Sequence, residues 1–157
     1  MQQLPLSRPR LEISIATQTL YLWDGFQVVK TWPCSTSKFG IGYEEGSNKT
    51  PLGAFRVREK HGAGQSLHTI FKSRQPVGEW SPDQLTKDDL ILARILWLEG
   101  LEDRNANTWN RYIYIHGTNE ECRIGQLGSH GCIRMRNADV VELFDLAEVG
   151  LPVWIGE

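Results

Sequence analysis

Arg111-Tyr112-Ile113-Tyr114-Ile115-His116-Gly117 has the period-two pattern of a β-strand, with isoleucines at 113 and 115, and it stops at a glycine. The strand delivers His116 to its end, where a sheet holds a side chain rigidly at the rim of a fold. Downstream, Asn137 is placed to cap a helix over Ala138 to Ala147. Val140, Val141, Leu143, Phe144 and Ala147 give that helix one apolar face, and Gly150 ends it. Leu151 to Ile155 follows as a last strand, with Pro152 near its start. Upstream, Leu11, Ile13 and Ile15 alternate with polar residues, and Leu20 and Leu22 resume the pattern after a turn at Ala16 to Gln18. Asp24-Gly25 then separates Leu20-Tyr21-Leu22-Trp23 from Phe26-Gln27-Val28-Val29, which predicts a two-residue type I′ hairpin. Thr36 to Thr50 is a glycine-punctuated loop, and Pro51 leads into the alternating strand Ala54-Phe55-Arg56-Val57-Arg58. Ser81-Pro82-Asp83-Gln84 carries helix-start signals. The apolar run Leu90 to Leu98 fits either a buried strand or a helix, and Glu99 to Asn110 is a polar loop. The sum is a mainly β chain with one helix near its end.

The chain has 157 residues, 40% of them hydrophobic and 23% charged, which suits a single globular domain over 1–157 that folds without a metal or a disulfide. Seventeen Lys plus Arg against nineteen Asp plus Glu give a net charge of −2, so a general polyanion-binding surface and a nucleic-acid partner are excluded. Arg134 and Arg136 still form a local basic pair suited to one anionic group. No stretch reaches the ~18 apolar residues of a membrane span, so no membrane partner is expected. Met1 to Gln18 lacks the apolar core and cleavage site of a signal peptide. The expected compartment is therefore the cytoplasm, or the periplasm if an export segment has been removed. His61-Gly62-Ala63-Gly64-Gln65 resembles a dinucleotide loop only superficially, because Leu67 stands where the third glycine belongs.

The chemistry concentrates between His116 and Arg134. A cysteine nucleophile needs a base or a positive neighbour, and His130 lies two residues before Cys132 while His116 ends the strand. Gly131 between His130 and Cys132 removes a side chain beside the thiol, which lets a substrate approach and exposes backbone N–H groups to an oxyanion. Arg134 has the parity to clamp a substrate carboxylate. Competing readings exist. Cys34 and Cys122 suit small buried hydrophobes, and His61 and His68 suit loop or surface positions. Cys122, His130, Cys132 and His116 together offer four zinc ligands, but no CxxC pair or HExxH helix accompanies them. Three cysteines leave at least one thiol free in the monomer.

Ser129-His130-Gly131-Cys132-Ile133-Arg134-Met135, preceded by His116-Gly117, resembles the signature of the L,D-transpeptidase catalytic domain, or YkuD domain. Thr50-Pro51-Leu52-Gly53 with Phe55, the opening hairpin and Ser35-Thr36 are similar to further hallmarks, and the likeness runs from about Leu11 to Ile155. The resemblance implies a mainly β fold, a β-sandwich of the L,D-transpeptidase type with a cleft cysteine and one or two short helices. It implies Cys132 as nucleophile and His116 as general base, later the acid for the leaving amine. The Gly117 carbonyl would orient the His116 ring, and His130 would line the pocket. N–H groups of Gly131 and Cys132 would form the oxyanion hole, and Arg134 and Ser129 would contact the substrate. Many relatives carry Asn where this chain has Arg134.

The implied substrate is a peptidoglycan stem tetrapeptide ending in D-alanine, cleaved after its third residue through a thioester, with no cofactor and no metal. Water as acceptor makes an L,D-carboxypeptidase, and an amine makes a transpeptidase that forms 3→3 cross-links or exchanges D-amino acids. The lack of an export signal favours water and a role in murein recycling, with transpeptidation as the alternative.

Overall fold

In the computed structural model, which describes residues 6–157, ten strands and one helix follow in the order β1 (Pro9–Ser14), β2 (Thr19–Asp24), β3 (Gln27–Pro33), β4 (Gly53–His61), β5 (Thr69–Lys72), β6 (Gln75–Glu79), β7 (Ile91–Gly100), β8 (Tyr114–Gly117), β9 (Ile133–Met135), α1 (Asn137–Leu146) and β10 (Pro152–Gly156). Two single 3-10 turns, Asp103–Asn105 and Glu121–Arg123, interrupt the loops. Residues 1–5, part of the segment behind the compartment expectation, lie outside the described residues.

All ten strands belong to one mixed sheet. The path β3-β2-β1-β10-β4-β7-β5-β6 carries β8 on β7 and β9 on β8. The pairings β1–β10 and β8–β9 are parallel and the rest are antiparallel. The implied sandwich therefore takes the form of a continuous sheet, because β10 joins β1 to β4 and β7 joins β4 and β5 to β8. Leu11, Ile13, Leu20, Leu22, Phe55 and Val57 point to one core, and α1 lays Val140, Leu143 and Phe144 onto it.

β7 resolves the ambiguous apolar run as a strand buried on both faces. Leu92, Leu96 and Leu98 join the main core, whereas Ile95 and Trp97 join a second cluster with Phe71 and Tyr114. A strand covered on both sides loses its alternation, and so its period is illegible.

Several local expectations are corrected. The hairpin turn is Gly25-Phe26, not Asp24-Gly25: Asp24 pairs with Gln27, and of the two loop residues Gly25 alone has positive φ (+62), the sign pattern of a II′ turn. Ser81 and Gln84 do form the first turn expected of a helix, with the Ser81 N–H donating to Gln84 Oε1 and the Gln84 N–H to the Ser81 carbonyl. No helix follows, because its one large apolar residue, Leu85, is fully exposed and a single turn has no face to bury. The strand at 111–117 shortens to Tyr114–Gly117, because Tyr112 takes a left-handed φ of +56.

Asn137 is the first residue of α1 and not its cap, which is Arg136. Its buried side chain instead accepts from the Thr118 N–H (2.8 Å) and donates to the Thr118 carbonyl (3.0 Å) and to Glu121 Oε1 (2.6 Å), tying α1 to the end of β8. Asn137→Ala leaves the fully buried Thr118 peptide groups unpartnered. It should cost about 2–4 kcal/mol in urea unfolding, and a loss under about 0.5 kcal/mol would contradict this role.

Candidate active site

β8 and β9 run parallel with Ile115 opposite Ile133, His116 opposite Arg134 and Gly117 opposite Met135. Ile113, Ile115, Ile133 and Met135 join the main core, so Tyr114, His116, Arg134 and Cys132, one step before β9, fall on the opposite face. The Tyr114 N–H donates to Cys132 Sγ (3.4 Å), and the thiol donates to the Tyr112 carbonyl (3.3 Å). Ile91, Trp109 and the half-buried Cys132 pack against the second cluster.

His116 is only 2% exposed, and its Nδ1 lies 2.5 Å from the Gly117 carbonyl oxygen. A carbonyl only accepts, so Nδ1 carries the proton and Nε2 of the neutral ring is left basic. Gly117 is required by space: a Cβ there would meet Asn137 Oδ1 at 2.2 Å and the Leu92 carbonyl oxygen at 2.6 Å. Burial lowers the His116 pKa, partly opposed by the Asp89 charge and the Gly117 contact. Burial also pushes the Cys132 thiol up to about 11, against the pull of the Tyr114 N–H and of Arg134 and Arg111. The resting pair is therefore thiol and imidazole, both neutral.

The turn before Cys132 is bonded from within. Ser129 Oγ donates to the Cys132 carbonyl (2.5 Å) and accepts from the Gly131 N–H (3.2 Å). Gly131 has φ +118, and its carbonyl accepts from Thr50 Oγ1 (3.0 Å), which itself accepts from the Ser37 N–H (3.0 Å). Two expectations change accordingly. Ser129 is fully buried and holds the turn instead of touching substrate. The Gly131 N–H already has its acceptor in Ser129 Oγ, leaving Cys132 as the remaining N–H of the two expected in the oxyanion hole.

Arg134 is also corrected. It is 2% exposed, with Nη2 on Asp89 Oδ2 (2.7 Å) and Nη1 on Glu120 Oε2 (3.0 Å), so its guanidinium is committed inside the fold and does not face a peptide. Asp89, two residues before β7, was invisible in a polar run. Burial raises its pKa, but the charge His116 takes up in acid and the contacts from Arg134 and His130 outweigh that and hold it below its ordinary value. His130 is 45% exposed at its side chain, and its Nδ1 lies 3.3 Å from the same Asp89 oxygen.

One cavity opens on the thiol, and a second adjoins it through Tyr112. The first, of about 420 Å³, is lined by Ser73, Arg74, Ile91, Tyr112, Tyr114 and Cys132. The second, of about 260 Å³, includes Glu45, Asn48, Arg111, Tyr112 and His130. Tyr112 borders both. Alternation with His116 marks Tyr112 and Tyr114 in the sequence, but nothing there marks Arg74 or Arg111. Arg111 is bound to the glycine-rich loop through the carbonyls of Gly42 (3.3 Å) and Lys49 (2.6 Å). Cys34 is buried, with its thiol pushed up to about 12 by that burial, and Cys122 is exposed. Among the described residues no three His, Cys, Asp or Glu side chains converge as a metal site, and no helix is long and apolar enough to cross a membrane.

With a thiol near pKa 11, alkylation of Cys132 by iodoacetamide should rise about tenfold per pH unit from pH 7 to 9 without a plateau. Mass spectrometry of the Cys132 peptide in a Cys122→Ser background checks this, and a plateau below pH 7 would indicate a thiolate–imidazolium pair instead. Stability has its own pH signature. His116 and Asp89 both lie below their ordinary 6.5 and 3.8, so each binds fewer protons folded than unfolded. Each adds stability above its ordinary value that is lost as pH falls through its lowered folded value. Urea midpoints should therefore fall from about pH 6.5 downward, and Asp89→Asn should flatten the most acidic part of that fall.

The family model for the L,D-transpeptidase catalytic domain, YkuD, matches residues 8–155. The chain is 28% identical to the YkuD protein of Bacillus subtilis (strain 168) over 145 residues, covering 92% of this chain and 64% of that protein. Its fold matches the L,D-transpeptidase of Xylanimonas cellulosilytica (residues 123–326) with a TM-score of 0.63 at 20% identity, covering 96% of this chain and 61% of that one. It matches an L,D-transpeptidase from Mycobacterium smegmatis with a TM-score of 0.63 at 16% identity, covering 96% and 59%. The chain thus spans less than two thirds of the length of these relatives. With the model matching nearly end to end, this chain belongs to the YkuD family of L,D-transpeptidase catalytic domains.

Proposed function

We propose that this chain catalyses cysteine-dependent acyl transfer at the L,D peptide bond of peptidoglycan stem peptides, with an amine as the acceptor. The observation that carries this reading is the Cys132 thiol held between the Tyr112 carbonyl and the Tyr114 N–H at the edge of a 420 Å³ cavity, on the same sheet face as His116, whose Nδ1 is tied to Gly117. As Sγ attacks the carbonyl carbon, the thiol proton passes to His116 Nε2, and the Cys132 N–H supports the oxyanion. Collapse breaks the C–N bond, and His116 returns the proton to the leaving D-alanine amine. The thioester remains on Cys132. An incoming amine then attacks the thioester carbon, giving its proton to His116; the C–S bond breaks as the new amide forms, and His116 returns the proton to Sγ, restoring the thiol.

The choice of amine over water reverses the expectation drawn from the N-terminus. It is supported by the family's description and by matching relatives, which are named as L,D-transpeptidases: YkuD of Bacillus subtilis, YbiS of Escherichia coli and ErfK/SrfK of Salmonella typhimurium. Arg134, buried between Asp89 and Glu120, serves here as a fixed charge that holds Asp89 near the histidines.

Incubation with a stem tetrapeptide, with and without a second stem or a free D-amino acid, followed by mass spectrometry, tests the reading. Loss of D-alanine with cross-linked or exchanged product is expected. Tripeptide as the main product in the presence of amine would reverse the choice of acceptor. Cys132→Ala should abolish both products, while Cys34→Ala and Cys122→Ser should keep them. Full activity in the Cys132 variant would end the assignment.

A further inference from the structure

With Arg134 committed to Asp89 and Glu120, a second arginine stands over the cleft. β5 and β6 are joined by Ser73-Arg74, and Lys72 pairs with Gln75 across the turn. Both loop residues have positive φ, +49 and +65, the sign pattern of a type I′ turn, where Asn-Gly is the usual occupant. A serine and an arginine in this region carry backbone strain that the turn alone does not require.

The turn aims the guanidinium across the cavity. Arg74 Cζ lies 4.6 Å from the centroid of Trp97 and 5.7 Å from that of Tyr112, and its Nη1 donates to the Tyr114 hydroxyl (3.1 Å). Trp97 is itself stacked on Trp109, with centroids 3.5 Å apart and planes 9° from parallel. The guanidinium is thus backed by aromatic rings and fixed at one nitrogen. Among the described residues it forms no ion pair, and Nη2 and Nε have no hydrogen-bond acceptor. Of the residues lining the 420 Å³ cavity, which also holds Cys132, Arg74 alone is charged at neutral pH. Tyr114 links the two ends, with its N–H on Sγ and its phenol on Arg74.

We infer that Arg74 recognises a carboxylate of the acyl-donor peptide beside the bond that Cys132 attacks, and so selects donors that carry this carboxylate free. A planar fork already held by stacking loses little freedom on binding and presents its remaining N–H groups to a carboxylate. The inference rests on the acyl-transfer reading above. Two carboxylates have the right chemistry, the terminal one of the leaving D-residue and a side-chain one on the third residue.

Three donors separate them: the free tetrapeptide, the same peptide amidated at its C-terminus, and the same peptide amidated at the third side chain. Release of the terminal residue should fall about tenfold or more in kcat/KM, chiefly through KM, for the one amide that removes the partner of Arg74. Arg74→Gln should lose as much on the free peptide and nothing further on that amide, and Arg74→Lys should retain part of the preference. Equal slowing of all donors by Arg74→Gln would make the arginine only a brace for the aromatic stack and overturn the inference, as would unchanged discrimination. No release from any donor by the unaltered protein would reject the acyl-transfer reading. Arg74 is then judged by calorimetric binding to the Cys132→Ala protein, where the free peptide must bind about tenfold tighter than the amide and Arg74→Gln must erase the difference.

Discussion

The parallel pairing of β8 with β9 is the constraint on which the rest of the site depends. It sets His116 opposite Arg134 and brings the turn before β9 against Tyr114. Parallel neighbours need a long connection, and here that connection is itself pinned. The N–H groups of Gly128 and Ser129 both donate to the Thr36 carbonyl, and Ser35 and Arg134 exchange backbone hydrogen bonds at 2.9 Å. Gln18, buried in a left-handed conformation, holds Thr36 in turn through bonds of 2.7 and 2.8 Å. Besides its own bonds to Tyr112 and Tyr114, the thiol is thus located by a chain of contacts reaching back through Thr36 to the Gln18 side chain.

The electrostatics follow from the same burial. A half-buried thiol and a buried imidazole both favour their neutral forms, so Cys132 and His116 do not form an ion pair at rest. The charges kept nearby include Arg134, whose single positive charge is shared between the carboxylates of Asp89 and Glu120. A buried guanidinium between two carboxylates contributes little net stability. Its effect is to fix where Asp89 sits, beside His130 and close enough for its charge to act on His116.

Much of this was legible from short-range patterns. Alternation found β1, β2 and β4, the apolar face found α1, and the strand ending at His116 with the cysteine at 132 pointed to two residues that lie on one face of the β8–β9 pair. What failed did so for tertiary reasons. β7 is covered on both faces, so its period vanished. The capped turn at Ser81 had nothing to pack against. Ser129 and Arg134 have the chemistry of ligand-binding groups, and only burial reveals that a turn and two carboxylates already occupy them. Asp89 and Arg74 come from separate loops whose meeting with the site depends on the sheet order, which no local pattern encodes.

The Ser73-Arg74 turn has a consequence for anyone who would engineer this protein. Standard stabilisation would write Asn-Gly there, relieving the left-handed strain and tightening the hairpin. The same exchange would remove the cation from the cleft mouth and the support it gives to Tyr114 and Trp97. With Arg74 as the proposed reader of a donor carboxylate, thermal robustness and discrimination pull in opposite directions at this turn, so a library selected for melting temperature alone would drift toward a sturdier protein without that cation.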